Sequence, residues 1–161
     1  MEDVKEAAPL HWTKSDEMLF SSDRKYQREL PASFPVDINF YHVNTSFPVI
    51  PNYHDFFEIS YFRHGQAIYH LGEHNFSVQP GSIVLVQAGQ MHNMETKADE
   101  QLKSASIYFM PEVVYHPGVN PYERNYLLPF YFQETHVLPI FKESELNFSV
   151  WETILHMHLL L

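Results

Sequence analysis

The chain has 161 residues, of which 45% are hydrophobic and 16% aromatic, so it can form one domain with a buried core and is too apolar for a disordered tail. Acidic residues outnumber basic ones 20 to 10, giving a formal net charge of -10, and we therefore expect that the chain does not bind DNA by itself. It has no cysteine, no signal segment and no apolar run long enough to span a membrane, so a cytoplasmic protein is expected.

The order of apolar runs and turn residues predicts an arm followed by a β domain. Residues 1–35 are polar and close on two prolines, and we predict a partly irregular arm there. Within residues 36–115, short apolar runs alternate with turn signals such as Pro80-Gly81, which indicates a sandwich or barrel of antiparallel strands. The predicted strands after residue 38 include 56–62, 67–70, 76–78, 83–86, 91–95 and 105–110.

Residues 116–161 are predicted to be a helical region that serves dimerisation or links to another domain. Ser149 and Glu152 have the spacing of a capping box, and apolar residues recur behind them at helical spacing. Trp151, Leu155 and Leu159 lie on one stripe of this helix, which predicts a homodimer contact. Because the chain stops at three leucines without a helix-ending residue, we expect that it was cut inside a helix that continues.

Three residues could carry chemistry. His54 lies just before the strand predicted at 56–62 and Glu58 lies within it, and their spacing places both on one face of the extended chain. His92 lies at the start of a later predicted strand. Two imidazoles and a carboxylate can hold a divalent metal with open positions for a ligand. The alternative interpretation is that the three side chains hydrogen-bond one another and order two strands.

These residues sit in strings that resemble known motifs. His54, Glu58 and Gly65, followed by Pro80-Gly81 and His92, are similar to the two metal-binding motifs of the cupin superfamily, although Asn52 stands where the first motif usually has a histidine. The strings at 54–62, 78–86, 89–95 and 107–112 resemble the sensor half of AraC-family transcription regulators. The resemblance covers about residues 38–160 and implies a mainly β fold. It is a cupin-like antiparallel β-barrel (a double-stranded β-helix or jelly roll) with C-terminal α-helices.

The resemblance also implies a function. A domain of this family senses a small-molecule effector, for which a sugar is one candidate, and dimerises, while DNA is bound only through a C-terminal domain that this chain lacks. No catalytic residue, required cofactor or membrane contact is expected. The predicted ligand-binding residues are His54, Phe56, Glu58, Phe62, Tyr69 and His92, of which His54, Glu58 and His92 would hold a metal if one binds. The alternatives are a stand-alone metal-dependent cupin enzyme, an isomerase or dioxygenase, and a dimerisation module whose barrel is filled.

Overall fold

The structure is a computed structural model of the chain and describes residues 9–43, 50–96, 100–116, 118, 121–131 and 138–161. Outside the described residues lie the first eight positions of the predicted arm and part of the turn predicted near residue 98. Several positions of the predicted helical region also lie outside them, namely 117, 119–120 and 132–137.

The described residues form two β-sheets. The strands are β1 (Trp12–Lys14), β2 (Val36–Val43), β3 (Phe57–His64), β4 (Ala67–Leu71), β5 (His74–Val78), β6 (Ser82–Val86), β7 (His92–Glu95), β8 (Leu102–Phe109) and β9 (Ile140–Lys142). One sheet has the order β1-β2-β8-β3-β6-β9, and the other has the order β5-β4-β7. All pairs are antiparallel except β1 with β2, which is parallel.

The two sheets pack face to face as a jelly roll, which confirms the predicted mainly β, cupin-like fold. Phe62 of the larger sheet packs edge-on against Tyr69 of the smaller one, with their ring centroids 6.1 Å apart. In the described part of the chain, the strand pairs do not join the two sheets into a closed barrel. The outer strands β1 and β9 lie in segments that the sequence pattern assigned to the arm and to the helical region.

Alternation along β3 divides its side chains between two environments. Glu58, Ser60 and Phe62 face the smaller sheet, whereas Ile59 and Tyr61 face the opposite side. A sheet covered on both faces carries apolar residues on both, which explains why Phe62 and Tyr61, on opposite faces of this strand, are both buried. The larger sheet therefore has an inner face toward the small sheet and an outer face toward the C-terminal residues.

The outer face is covered by short 3-10 helices, including Pro121–Phe130, and by helix α1 (Val150–Leu160). As predicted, Ser149 caps α1, accepting a hydrogen bond from the backbone N–H of Glu152 at 3.3 Å. Glu143 links α1 to the sheet: its carboxylate accepts bonds from the Val150 N–H and the Tyr61 hydroxyl, each at 2.7 Å. Of the helices in the described residues, none has the length and apolar character needed to cross a bilayer.

Candidate effector site

A cavity of about 80 Å³, here called the inner cavity, lies between the two sheets. Its lining combines polar side chains with aromatic and aliphatic ones. Besides Met18, Phe20 and Tyr26 of the arm, its lining residues are Tyr41, Val43, Asn52, His54, Glu58, Ser60, Phe62, Tyr69, His92, Asn93, Met94, Ser104, Ser106 and Tyr108. An apolar wall with a few convergent polar groups is the usual composition of a small-molecule site.

Glu58 is the centre of the polar groups in this cavity. It is 5% exposed, and its Oε1 accepts hydrogen bonds from the hydroxyls of Ser60 at 2.6 Å and Ser106 at 2.7 Å. Its Oε2 lies 2.8 Å from His54 Nε2 and 3.6 Å from His92 Nε2. A buried carboxylate is costly unless charged or polar partners surround it, and this one has four.

Backbone carbonyl groups fix both imidazole rings. The Nδ1–H of His54 donates to the Phe56 carbonyl, and the Nδ1–H of His92 donates to the Gln90 carbonyl, each at 2.8 Å. Each ring therefore turns its Nε2 toward Glu58. His54 Nε2 and Glu58 Oε2, 2.8 Å apart, are joined by a hydrogen bond.

The pKa values of Glu58 and His92 keep Glu58 charged and His92 neutral. Burial opposes ionisation of Glu58, but the hydrogen bond from His54 and the nearby imidazoles outweigh it and lower the pKa of Glu58 to about 2. Burial lowers the pKa of His92 to about 4, against the attraction of the Glu58 charge. At neutral pH the inner cavity thus presents a carboxylate together with a neutral imidazole acceptor.

The same three residues fit a divalent metal by their donor chemistry. His54 Nε2, Glu58 Oε2 and His92 Nε2 lie within 4.8 Å of one another, and the other ring nitrogens already have carbonyl partners. Metal-binding histidines usually have such a partner on the second nitrogen, which orients the ring. A divalent ion held there would be ligated by the three side chains in place of the hydrogen bond between His54 and Glu58.

A chain of tyrosine hydroxyls continues the polar lining toward the arm. The Tyr41 hydroxyl lies 2.6 Å from that of Tyr108 and 3.0 Å from that of Tyr26. Burial raises the pKa of both Tyr41 and Tyr108, so both remain protonated. Arg28 lies over the Tyr108 ring, 5.5 Å from its centroid, and forms an ion pair with Asp37. The arm is therefore tied to the sheet beside the cavity.

The structure brings five of the six predicted ligand-binding residues to the inner cavity: His54, Glu58, Phe62, Tyr69 and His92. Phe56 lies beside the cavity and outside its lining. It precedes β3, so strand alternation does not apply to it, and its ring stacks on His54 with centroids 4.3 Å apart.

Sequence reasoning missed Ser106, Tyr41 and Tyr108. Ser106 reaches Glu58 because β8 pairs with β3 in the register that places Ser106 opposite Ser60. No short motif marks these residues. The available signal was the alternation of Ser104 and Ser106 with the apolar residues Ala105 and Ile107 in β8.

The residues predicted to mediate dimerisation lie in different environments. Trp151 is half-buried and stacks on Trp12 and Tyr61, with centroid distances of 6.4 and 6.2 Å. Leu155 is half-buried against the core, whereas Leu159 is 68% exposed. Leu159 is thus the member of the stripe that is most free to contact a second chain.

Known proteins resemble this chain in structure, and one family model matches part of its sequence. No curated protein matches the chain significantly. Similar solved structures include hazelnut (Corylus avellana) vicilin, with 19% identity over 47% of this chain and 21% of that chain, at a TM-score of 0.43. The polyketide cyclase RemF of Streptomyces resistomycificus has 16% identity over 46% of this chain and 54% of that chain, at a TM-score of 0.43. A cupin protein of Bacteroides fragilis has 11% identity over 53% of this chain and 69% of that chain, also at a TM-score of 0.43. The chain spans about a fifth of the length of the vicilin and about half of the length of RemF.

The family model that describes the AraC-like ligand binding domain matches residues 39–116. This segment contains β3 to β8 and all the histidine and carboxylate groups of the inner cavity. Residues 39–116, just under half of the chain, are thus similar to AraC-like ligand binding domains.

Proposed function

We propose that this chain is the effector-sensing and dimerisation domain of a transcription regulator, and that its effector binds in the inner cavity against Glu58. The observation that carries the proposal is an ionised, buried carboxylate at the wall of a cavity that side chains leave open. A carboxylate that only tied strands together would need no space beside it. The family match supports the sensing role.

The volume and the polar groups of the inner cavity indicate the class of effector. One water needs about 10–15 Å³ of such space, so a cavity of about 80 Å³ holds roughly six waters or a ligand with about that many non-hydrogen atoms inside. Glu58 accepts hydrogen bonds and His92 Nε2 is a neutral acceptor, so both favour a ligand that donates. We infer a small hydroxylated molecule, such as a sugar whose ring extends toward the mouth near Met18 and Phe20.

Regulation requires that the effector bind two states of the protein with different affinity. The arm supports one route, because Tyr26 both lines the cavity and hydrogen-bonds to Tyr41. Strand β3 supports another, because it carries Glu58 on its inner face and contacts Glu143, and through it α1, by Tyr61. In this proposal DNA is bound by a separate domain in the cytoplasm, and the negative charge of this chain keeps it off the duplex.

A titration tests the proposal. A panel of small sugars, polyols and hydroxy acids is screened for ligands that raise the unfolding temperature of the chain, and each positive ligand is titrated by calorimetry. We expect Glu58→Gln and Ser106→Ala to weaken binding at least tenfold, about 1.4 kcal/mol, while the exposed carboxylate variant Glu95→Gln binds like wild type. Equal affinity in all four proteins would overturn the assignment.

A second candidate function follows from the donor set of His54, Glu58 and His92: a metal-dependent cupin enzyme, an isomerase or dioxygenase. A divalent ion held there would polarise an oxygen of a bound molecule. The residues of this chain would orient that molecule through Ser106 and Tyr69 and exclude water with Phe62. A metal that copurifies stoichiometrically and is lost in His54→Ala would favour this candidate, whereas metal-free protein that binds its effector would exclude it.

A further inference from the structure

A second cavity lies on the outer face of the larger sheet and has a volume of about 490 Å³. We call it the outer cavity. Its floor is formed by sheet residues such as Ile59, Leu85 and Ile107, and its roof by Phe130 and by Ile154 of α1. It is separated from the inner cavity by the sheet itself, since Glu58 and Ile59 are neighbours on β3 that face opposite sides.

The floor is a continuous apolar surface across three adjacent strands. Ile59 of β3 pairs with Leu85 of β6 on one side and with Ile107 of β8 on the other. Leu85 and Ile107 are buried, but Ile59 is only half-buried although it lies on the central one of these three strands. The helices of the roof therefore span the floor without filling the space above its centre.

The lining of the outer cavity is almost entirely apolar. Among its described residues none is charged, and the polar side chains are those of Tyr126 and Thr153. Water in such a space would find few hydrogen-bond partners, so an apolar molecule that displaces it would be stabilised by burial of its surface. Protein interiors rarely leave voids much larger than a water, because the lining atoms lose their dispersion contacts.

We propose that the outer cavity is a second ligand site, which takes an uncharged apolar small molecule. Its volume lies within the range of about 300–1,000 Å³ that small-molecule sites occupy. The absence of a charged side chain from the described lining disfavours a ligand whose charged group must be buried. The space is a cleft between a floor and a roof, partly open to solvent, which suits a small molecule, whereas interfaces between protein chains are broad and mostly flat surfaces.

Fluorescence titration with N-phenyl-1-naphthylamine, an uncharged apolar probe, tests the site. Thr153 lies on the exposed side of α1 at the edge of the cavity, so Thr153→Trp places a large ring in it without altering the sheet. His156→Trp is the matched control, because His156 is exposed on the same helix and does not line the cavity. Ile59→Phe fills the cavity from the floor. It is the alternative filling variant, used if circular dichroism shows that Thr153→Trp does not fold.

The wild-type chain is expected to bind the probe with enhanced fluorescence, and decanol should displace it at lower concentration than decanoate. The filling variant should bind at least tenfold more weakly, while His156→Trp binds like wild type. Absence of probe binding by the wild type, or equal binding by the filling variant, would overturn the proposal. Probe binding that disappears as the chain dimerises with concentration would also overturn it, because a second copy would then be the occupant.

Discussion

Replacing Glu58 by Gln is expected to cost about 3 kcal/mol of unfolding free energy at pH 7. The amide has the shape of the carboxyl group but mimics its protonated form, so the variant loses what ionisation contributes. The pKa of Glu58 is about 2 in the folded chain and 4.5 ordinarily, and each pH unit of difference corresponds to about 1.4 kcal/mol. Glu58 is only 5% exposed, so solvent screens this contribution little.

The sign of the pH dependence follows from the lowered pKa. The contribution of Glu58 is complete above pH 4.5 and is lost as the pH falls toward 2, because the unfolded chain then binds a proton that the folded chain does not. Urea unfolding of the wild type and Glu58→Gln at pH 7 and pH 3, without metal, measures it. The two proteins should differ by about 3 kcal/mol at pH 7 and by less at pH 3. Glu95→Gln is the surface control. A difference below about 1 kcal/mol at pH 7 would refute the charge network described for Glu58.

Three further predictions concern His92, the metal and the dimer. The pKa of His92 is about 4 instead of 6.5, so protonation of the unfolded chain should reduce stability by about 3 kcal/mol between pH 6.5 and 4. His92→Asn should flatten urea-unfolding free energies over this interval, and an unchanged slope would contradict the assignment. Zinc should raise the unfolding temperature of the wild type and not of His54→Ala, because His54 is one of the three candidate ligands; an equal rise in His54→Ala would show binding elsewhere. Leu159→Glu should shift the chain from dimer to monomer in sedimentation at roughly tens of micromolar, whereas His156→Glu should not; a monomeric wild type would contradict the dimer.

Much of the fold could be predicted from local pattern, because most strands from β2 to β8 contain apolar residues and are bounded by turn residues. Gly81, for example, has a φ of +87°, a conformation that favours glycine, and it ends the β5–β6 connection as the Pro80-Gly81 pair predicts. β1 and β9 could not be predicted in this way. Each has three residues, too few to show a period, and forms only because a sheet edge is available to pair with.

The candidate site likewise contains residues that the local sequence pattern predicts and residues that it does not. His54 and Glu58 could be placed together because they are close in sequence and on one side of the chain. The partnership of Ser106 with Glu58, which are 48 positions apart in the chain, depends on the register between β3 and β8. Phe56 shows the limit of alternation, since its position one residue before β3 turns the ring onto His54.

A crystal structure of the chain with the strongest ligand from the sugar, polyol and hydroxy acid panel tests the central claim most directly. The account predicts that the ligand lies between the two sheets, with a hydroxyl within about 3 Å of a Glu58 carboxylate oxygen and with Ser106 or His92 in contact. A ligand bound at the protein surface or in the outer cavity, with the inner cavity unchanged, would contradict it.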